Sequence, residues 1–180
     1  MNTLVIILIV VVAVLAAGVV WLAISRQKSK HLRARFGPEY QRTVAEMGAA
    51  GKAERDLARR EKRVERLKIR PLPPATRDRL AEAWRKEQSR FLDDPQGAVL
   101  EADRLVMETM NLRGYPVADF EQRADDLSVD HAQVVQNYRA AHDIVARHKV
   151  GQADTEDLRQ AFVHYRALFD ELLEMQEVRS

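Results

Sequence analysis

The sequence predicts an all-α protein: an N-terminal transmembrane helix, basic juxtamembrane helices and a C-terminal compact helical bundle. Three observations carry this. Residues 4–24 are 21 consecutive positions without a charge, all apolar except Gly18. Beyond them apolar residues recur at spacings of three and four, and no stretch alternates polar with apolar as a half-buried strand does. Charge also divides along the chain. Residues 26–70 hold 15 Lys/Arg against 6 Asp/Glu, a net of +9, and residues 71–180 hold 14 against 21, a net of −7. The chain thus reads as an anchor (1–25), a basic juxtamembrane helical segment (26–70) and an acidic helical bundle domain (71–180).

At about 1.5 Å per residue the apolar run is about 31 Å long, which matches a hydrocarbon core of about 30 Å. Trp21 stands near its end, where an indole favours the interface. A cleaved secretory signal needs a basic start, a shorter apolar core and a small-x-small cleavage site. Met1-Asn2-Thr3 has no Lys or Arg, and the nearest small cluster, Ala16-Ala17-Gly18, lies inside the run. The reading is therefore an anchor, and a secreted helical protein is the alternative if the N-terminus is cleaved. Arg26, Lys28, Lys30, Arg33 and Arg35 follow the span with no acid before Glu39. The positive-inside rule puts the N-terminus outside and the rest in the cytoplasm. The absence of cysteine fits a reducing compartment.

Residues 25–36 continue the membrane helix until Gly37-Pro38 breaks it, and Pro38 opens a short helix to about Met47. Gly48 and Gly51 interrupt again. Residues 52–68 are rich in Ala, Arg, Glu, Lys and Leu, with a thin apolar stripe of Ala53, Leu57, Val64 and Leu67. This helix is solvated, paired with another helix or laid on lipid headgroups. Pro71-Leu72-Pro73-Pro74 makes an extended spacer and a domain boundary.

Residues 76–91 predict a helix with Leu80, Trp84 and Phe91 on one side. Asp94 caps the next, with Pro95 at its first position and Gly114 as the left-handed stop. Residues 119–127 give a short polar helix or turn. Ser128 or Asp130 caps a helix over 131–149, which carries Tyr138, Ala141 and Ile144 inward. Gly151 ends it, and Asp154 or Thr155 caps the last helix, whose inner face runs from Leu158 through Phe162, Tyr165, Phe169 and Leu172 to Met175. Four helices on short loops read as a bundle.

Chemistry is sparse. The seven glycines are scattered and build no phosphate loop. No His-Glu-x-x-His or Glu-x-x-His motif occurs, and His131 and His142, about 16 Å apart on one helix, cannot share a metal. No catalytic residue, metal or cofactor is assigned. Tyr138, His142 and His164 are the candidates for a polar pocket assembled between helices. Lys52, Arg55, Arg59, Arg60, Lys62, Arg63, Arg66, Lys68 and Arg70 are the candidates for contact with anionic lipid headgroups. The sequence pI near 9 reflects this membrane-proximal half and does not point to nucleic acid.

Arg35-Phe-Gly-Pro-Glu-Tyr40, Glu61-Lys-Arg-Val-Glu-Arg-Leu67, Arg113-Gly-Tyr-Pro-Val117, Asn137-Tyr-Arg-Ala-Ala-His142 and Val163-His-Tyr-Arg166 resemble an uncharacterised family of bacterial single-span membrane proteins, whose members are labelled hypothetical or secreted. The resemblance covers nearly everything after residue 30. It implies a bacterial plasma membrane and brings no activity and no site residue. The function expected is a membrane-tethered cytoplasmic helical scaffold that binds an unidentified protein partner without catalysis. The alternative is a small-ligand receptor or enzyme whose site lies between bundle helices.

Overall fold

A computed structural model of the chain describes residues 3–116 and 118–174, with side chains from Leu8 onward. Every regular element among them is a helix. These are α1 (Thr3–Met47), α2 (Ala50–Val64), α3 (Pro74–Arg90), α4 (Pro95–Arg113), α5 (Phe120–Asp130), α6 (Val135–Lys149) and α7 (Thr155–Glu174). The all-α expectation holds, with one long apolar N-terminal helix and a compact helical C-terminal region. By their contacts the residues fall into two units, Met1–Ala58 and Arg59–Ser180. The division falls within α2.

In the first unit, α1 is the helix long and apolar enough to cross a membrane. Its side chains from Leu8 to Ile24 are exposed, Val19 and Trp21 by 69% each. After the basic stretch the helix kinks at Gly37 (φ 46°, ψ −121°), immediately before Pro38. Only glycine adopts that φ freely, and proline has no N–H to continue the ladder. Glu54 of α2 ties both arms of the kink: its Oε1 accepts from Ser29 Oγ at 2.7 Å and from Tyr40 Oη at 2.9 Å. The Arg33 guanidinium lies 5.0 Å from the Tyr40 ring centroid. Leu32, Phe36, Tyr40, Ala53 and Leu57 are all buried.

The second unit is a bundle in which α4 and α6 flank α7, α3 lies on α4, and α5 lies on α6. Its core is Leu80 and Trp84 of α3, Leu105, Val106 and Met110 of α4, Tyr138 and Ile144 of α6, and Leu158 to Leu172 of α7. Trp84 stacks on Phe169 with centroids 4.5 Å apart and lies 5.0 Å from Phe162. Met175 lies outside the described residues.

The caps explain the boundaries. Asp94 accepts from the Gly97 N–H at 2.9 Å at the start of α4. Asp154 and Asp157 exchange reciprocal bonds of 2.9 and 3.0 Å at the start of α7. Gly114 (φ 98°) ends α4. Three sequence expectations fail here. Neither Ser128 nor Asp130 caps α6, because both are still inside α5. His131 ends α5 (φ −128°, ψ 44°), so it shares no helix with His142, and α6 starts four residues later without a side-chain cap. Similarly, α2 stops at Val64 rather than running to Lys68.

Candidate functional site

Three places in the second unit gather polar chemistry. The first joins α4, α5, α6 and α7. Tyr138 is fully buried, and its hydroxyl accepts from Arg123 Nε at 3.0 Å. Arg123 also donates to the Ala118 carbonyl. Phe120 lies flat on His142, with centroids 3.5 Å apart, and 5.0 Å from the Tyr138 ring. Tyr165 meets Tyr138 edge-on at 6.2 Å. The Asp103 carboxylate acts on Tyr138, His142 and Tyr165. Burial first, then Asp103, holds the Tyr165 hydroxyl far above its ordinary value. Burial likewise pushes the Tyr138 hydroxyl up and pulls the His142 imidazole below its ordinary pKa. Asp103 Oδ1 and Tyr165 Oη are both buried without a hydrogen bond of good geometry. Orphaned buried polar atoms of this kind are commonly bridged by ordered water.

Of the three residues expected to line a pocket, Tyr138 and His142 come together here and His164 does not. Its Nδ1 instead lies 3.1 Å from Asn137 Oδ1. Sequence reasoning missed Asp103, Phe120 and Arg123. Asp103 left a trace, since it sits directly beside the apolar stripe of Ala102, Leu105 and Val106.

The second place is an ion-pair network on α5. Arg60 Nη1 meets Asp125 Oδ1 at 2.8 Å, and Arg63 Nε meets Asp126 Oδ1 at 2.6 Å. Arg139 of α6 reaches Glu121 at 2.9 Å and Asp125 at 3.1 Å. The Asp126 side chain is 1% exposed. Burial raises its carboxyl above the usual range, against the pull of Arg63 and Arg60. This changes the picture of the basic helix. Arg60 belongs to its buried face, three residues after Leu57 and four before Val64, and Arg63 is committed to Asp126. Lys52, Arg55, Arg59, Lys62, Arg66, Lys68 and Arg70 are exposed.

Close by, buried Arg113 donates from Nη1 to the Leu172 carbonyl at 2.6 Å, where a cation suits the C-terminal end of α7. His131 Nδ1 lies 3.2 Å from Glu171, and burial lowers its pKa.

The third place is a groove of about 360 Å³ between α3 and α7. Trp84 and Phe169 form its floor, and Asp78, Arg85, Arg166 and Asp170 stand along it. A smaller cavity of about 50 Å³ lies between α4, α6 and α7, lined by Val99, Leu100, Val145 and Leu158. Neither involves Tyr138, His142 or His164. Among the described residues, no group of three or more His, Cys, Asp and Glu side chains is placed to hold a metal.

No protein family, curated protein or solved structure matches the chain.

Proposed function

We propose that this protein is a single-span helical module, held in a bacterial plasma membrane with its N-terminus outside, whose cytoplasmic bundle binds another protein. The observation that carries the reading is the exposed apolar surface of α1 from Leu8 to Ile24, followed at once by Arg26, Lys28, Lys30, Arg33 and Arg35. The bacterial membrane follows from the sequence resemblance alone. The binding role is supported by the α3–α7 groove, which has an aromatic floor and charged rims, the anatomy of a protein-binding hot spot. The exposed basic residues of the 52–70 stretch are suited to anionic headgroups beside the span.

One experiment tests orientation and binding together. A reporter active only in the cytoplasm is fused after Ser180, and a photo-crosslinking amino acid replaces Gln88 at the groove of the full chain in native membranes. The cytoplasmic reporter is active, and irradiation gives a discrete adduct that the same probe at exposed Gln133 does not give. Activity of an outside-only reporter overturns the topology. Absence of any adduct specific to Gln88 overturns the binding role.

A further inference from the structure

We infer that the face around the α3–α7 groove is a self-association surface, covered by a second copy of this chain in antiparallel register. The argument starts from the relative direction of the two helices. Phe91 lies 5.4 Å from Phe162, and Trp84 lies 5.0 Å from Phe162 and 4.5 Å from Phe169. Rising numbers on α3 therefore meet falling numbers on α7, and the helices run antiparallel.

That direction sorts the charges on the rim. On α3, Asp78 precedes Arg85 by two turns; on α7, Arg166 precedes Asp170 by about one turn. With the helices antiparallel, Asp78 and Asp170 fall toward one end of the groove, and Arg85 and Arg166 toward the other. Trp84 stands level with the stretch between Phe162 and Phe169. The midpoint between Asp78 and Arg85, beside Ala81, is then about level with Leu168, the midpoint between Arg166 and Asp170.

A two-fold axis through that level, across the helices, superposes each acidic end on the basic end of the second copy. Asp78 faces Arg85 of the other chain, Asp170 faces Arg166, and each pair occurs twice. Closed two-fold contacts need this kind of self-complementary patch. A two-fold axis along the helices would instead put acid against acid and base against base, and like charges reject it. Arg166 and Asp170, now 3.3 Å apart on α7, exchange that exposed bond for one across the axis.

The surface also sets the strength. A face about 25 Å long and about 15 Å wide buries roughly 800 Å² over both copies, below the about 1,200 Å² of a standard stable interface. The pairing is weak in free solution and depends on the anchor, which confines copies to one surface and raises their effective concentration.

The inference rests on reading the bundle as an interaction module, and its test separates the two. The chain has no cysteine, so Ala81→Cys in the full chain in membranes gives a single thiol beside the axis. Mild oxidation is expected to give a covalent dimer, at least tenfold above that from Gln133→Cys. Asp78→Arg or Arg85→Asp alone removes that excess, and the double reversal Asp78→Arg with Arg85→Asp restores it. Photobleaching of a C-terminal fluorophore, which leaves the groove untouched, shows two steps for the unmodified chain and one for either single reversal. Dimer yield no higher than from Gln133→Cys, insensitivity to the single reversals, or failure of the double to restore overturns the inference. A heterologous adduct at Gln88 with no dimer at Ala81 overturns self-association and keeps the interaction reading. No adduct and no dimer overturn both.

Discussion

Gly114 sits at φ 98°, and a Cβ built there meets the Lys68 carbonyl oxygen at 2.6 Å. The Arg70 N–H donates to the Arg113 carbonyl at 2.9 Å, so the stretch after α2 is laid directly on the end of α4. Gly151 has a similar φ of 72°, but nothing stands within 4 Å of its Cβ position. The two sites separate strain from crowding. Gly151→Ala carries only left-handed backbone strain, about 1–2 kcal/mol. Gly114→Ala carries that and an overlap with main chain, which adds about 1–3 kcal/mol, as overpacking does. Urea unfolding should therefore place Gly114→Ala clearly below Gly151→Ala, and equal midpoints would mean that the 68–70 stretch yields freely. The left-handed role of Gly114 was legible from its place between an apolar helix and Tyr115-Pro116. Its contact with Lys68 was not, because a pattern of local spacing carries no information about which distant main chain passes over a helix end.

At the scale of elements, α5 is the case where ion pairs are added to apolar burial, since Ala124 and Leu127 also lie in the core. It is an 11-residue helix held by Arg60 and Arg63 from the end of α2 and by Arg139 from α6. Buried ion pairs add little net stability when intact, yet removing one partner strands a charge that water cannot reach. Asp126 is the buried member, and Arg63 is 38% exposed. Arg63→Ala should thus destabilise the chain toward the low end of the about 3–5 kcal/mol typical of broken buried pairs. The double variant Arg63→Ala with Asp126→Asn should recover part of that loss, and thermal unfolding of both proteins checks it. A double variant less stable than Arg63→Ala would show that Asp126 has another essential partner. The stripe Ala53, Leu57, Val64 predicted which side of α2 is covered, and all three are fully buried. It could not predict that Arg60 lies in the stripe, because the aspartates that accept Arg60 and Arg63 lie more than sixty residues away. The same locality hid the α5–α6 boundary. His131 through Val134 carry no glycine or proline, and only their tertiary setting turns the chain there.

For the whole molecule, the pattern that matters is a charge gradient that starts at the apolar run. The apolar run of α1 reads directly from the sequence because a long uncharged helix satisfies its own backbone, as a segment that crosses lipid must. The four apolar faces of α3, α4, α6 and α7 were legible for the corresponding reason in water. The polar cluster around Asp103 was not, since it is assembled from four helices with no shared local motif. The +9 of residues 26–70 adjoins the apolar run, and the −7 of residues 71–180 follows it. An anionic leaflet attracts each nearby Lys or Arg by about 1 kcal/mol, within a Debye length of about 8 Å at physiological salt. Since Arg60 and Arg63 are committed to α5, the side chains to reverse are the exposed Lys62, Arg66 and Lys68. A chain spanning 26–180, in which α5 still holds Arg60 and Arg63, should bind anionic vesicles, ignore neutral ones and come off as salt rises. Lys62→Glu, Arg66→Glu and Lys68→Glu together remove at least about 3 kcal/mol, a loss of roughly 100-fold in partitioning measured by vesicle co-sedimentation. Equal binding to neutral and anionic vesicles would assign the stretch to a protein surface instead, because a headgroup site of this kind has no affinity left once the lipid charge is gone.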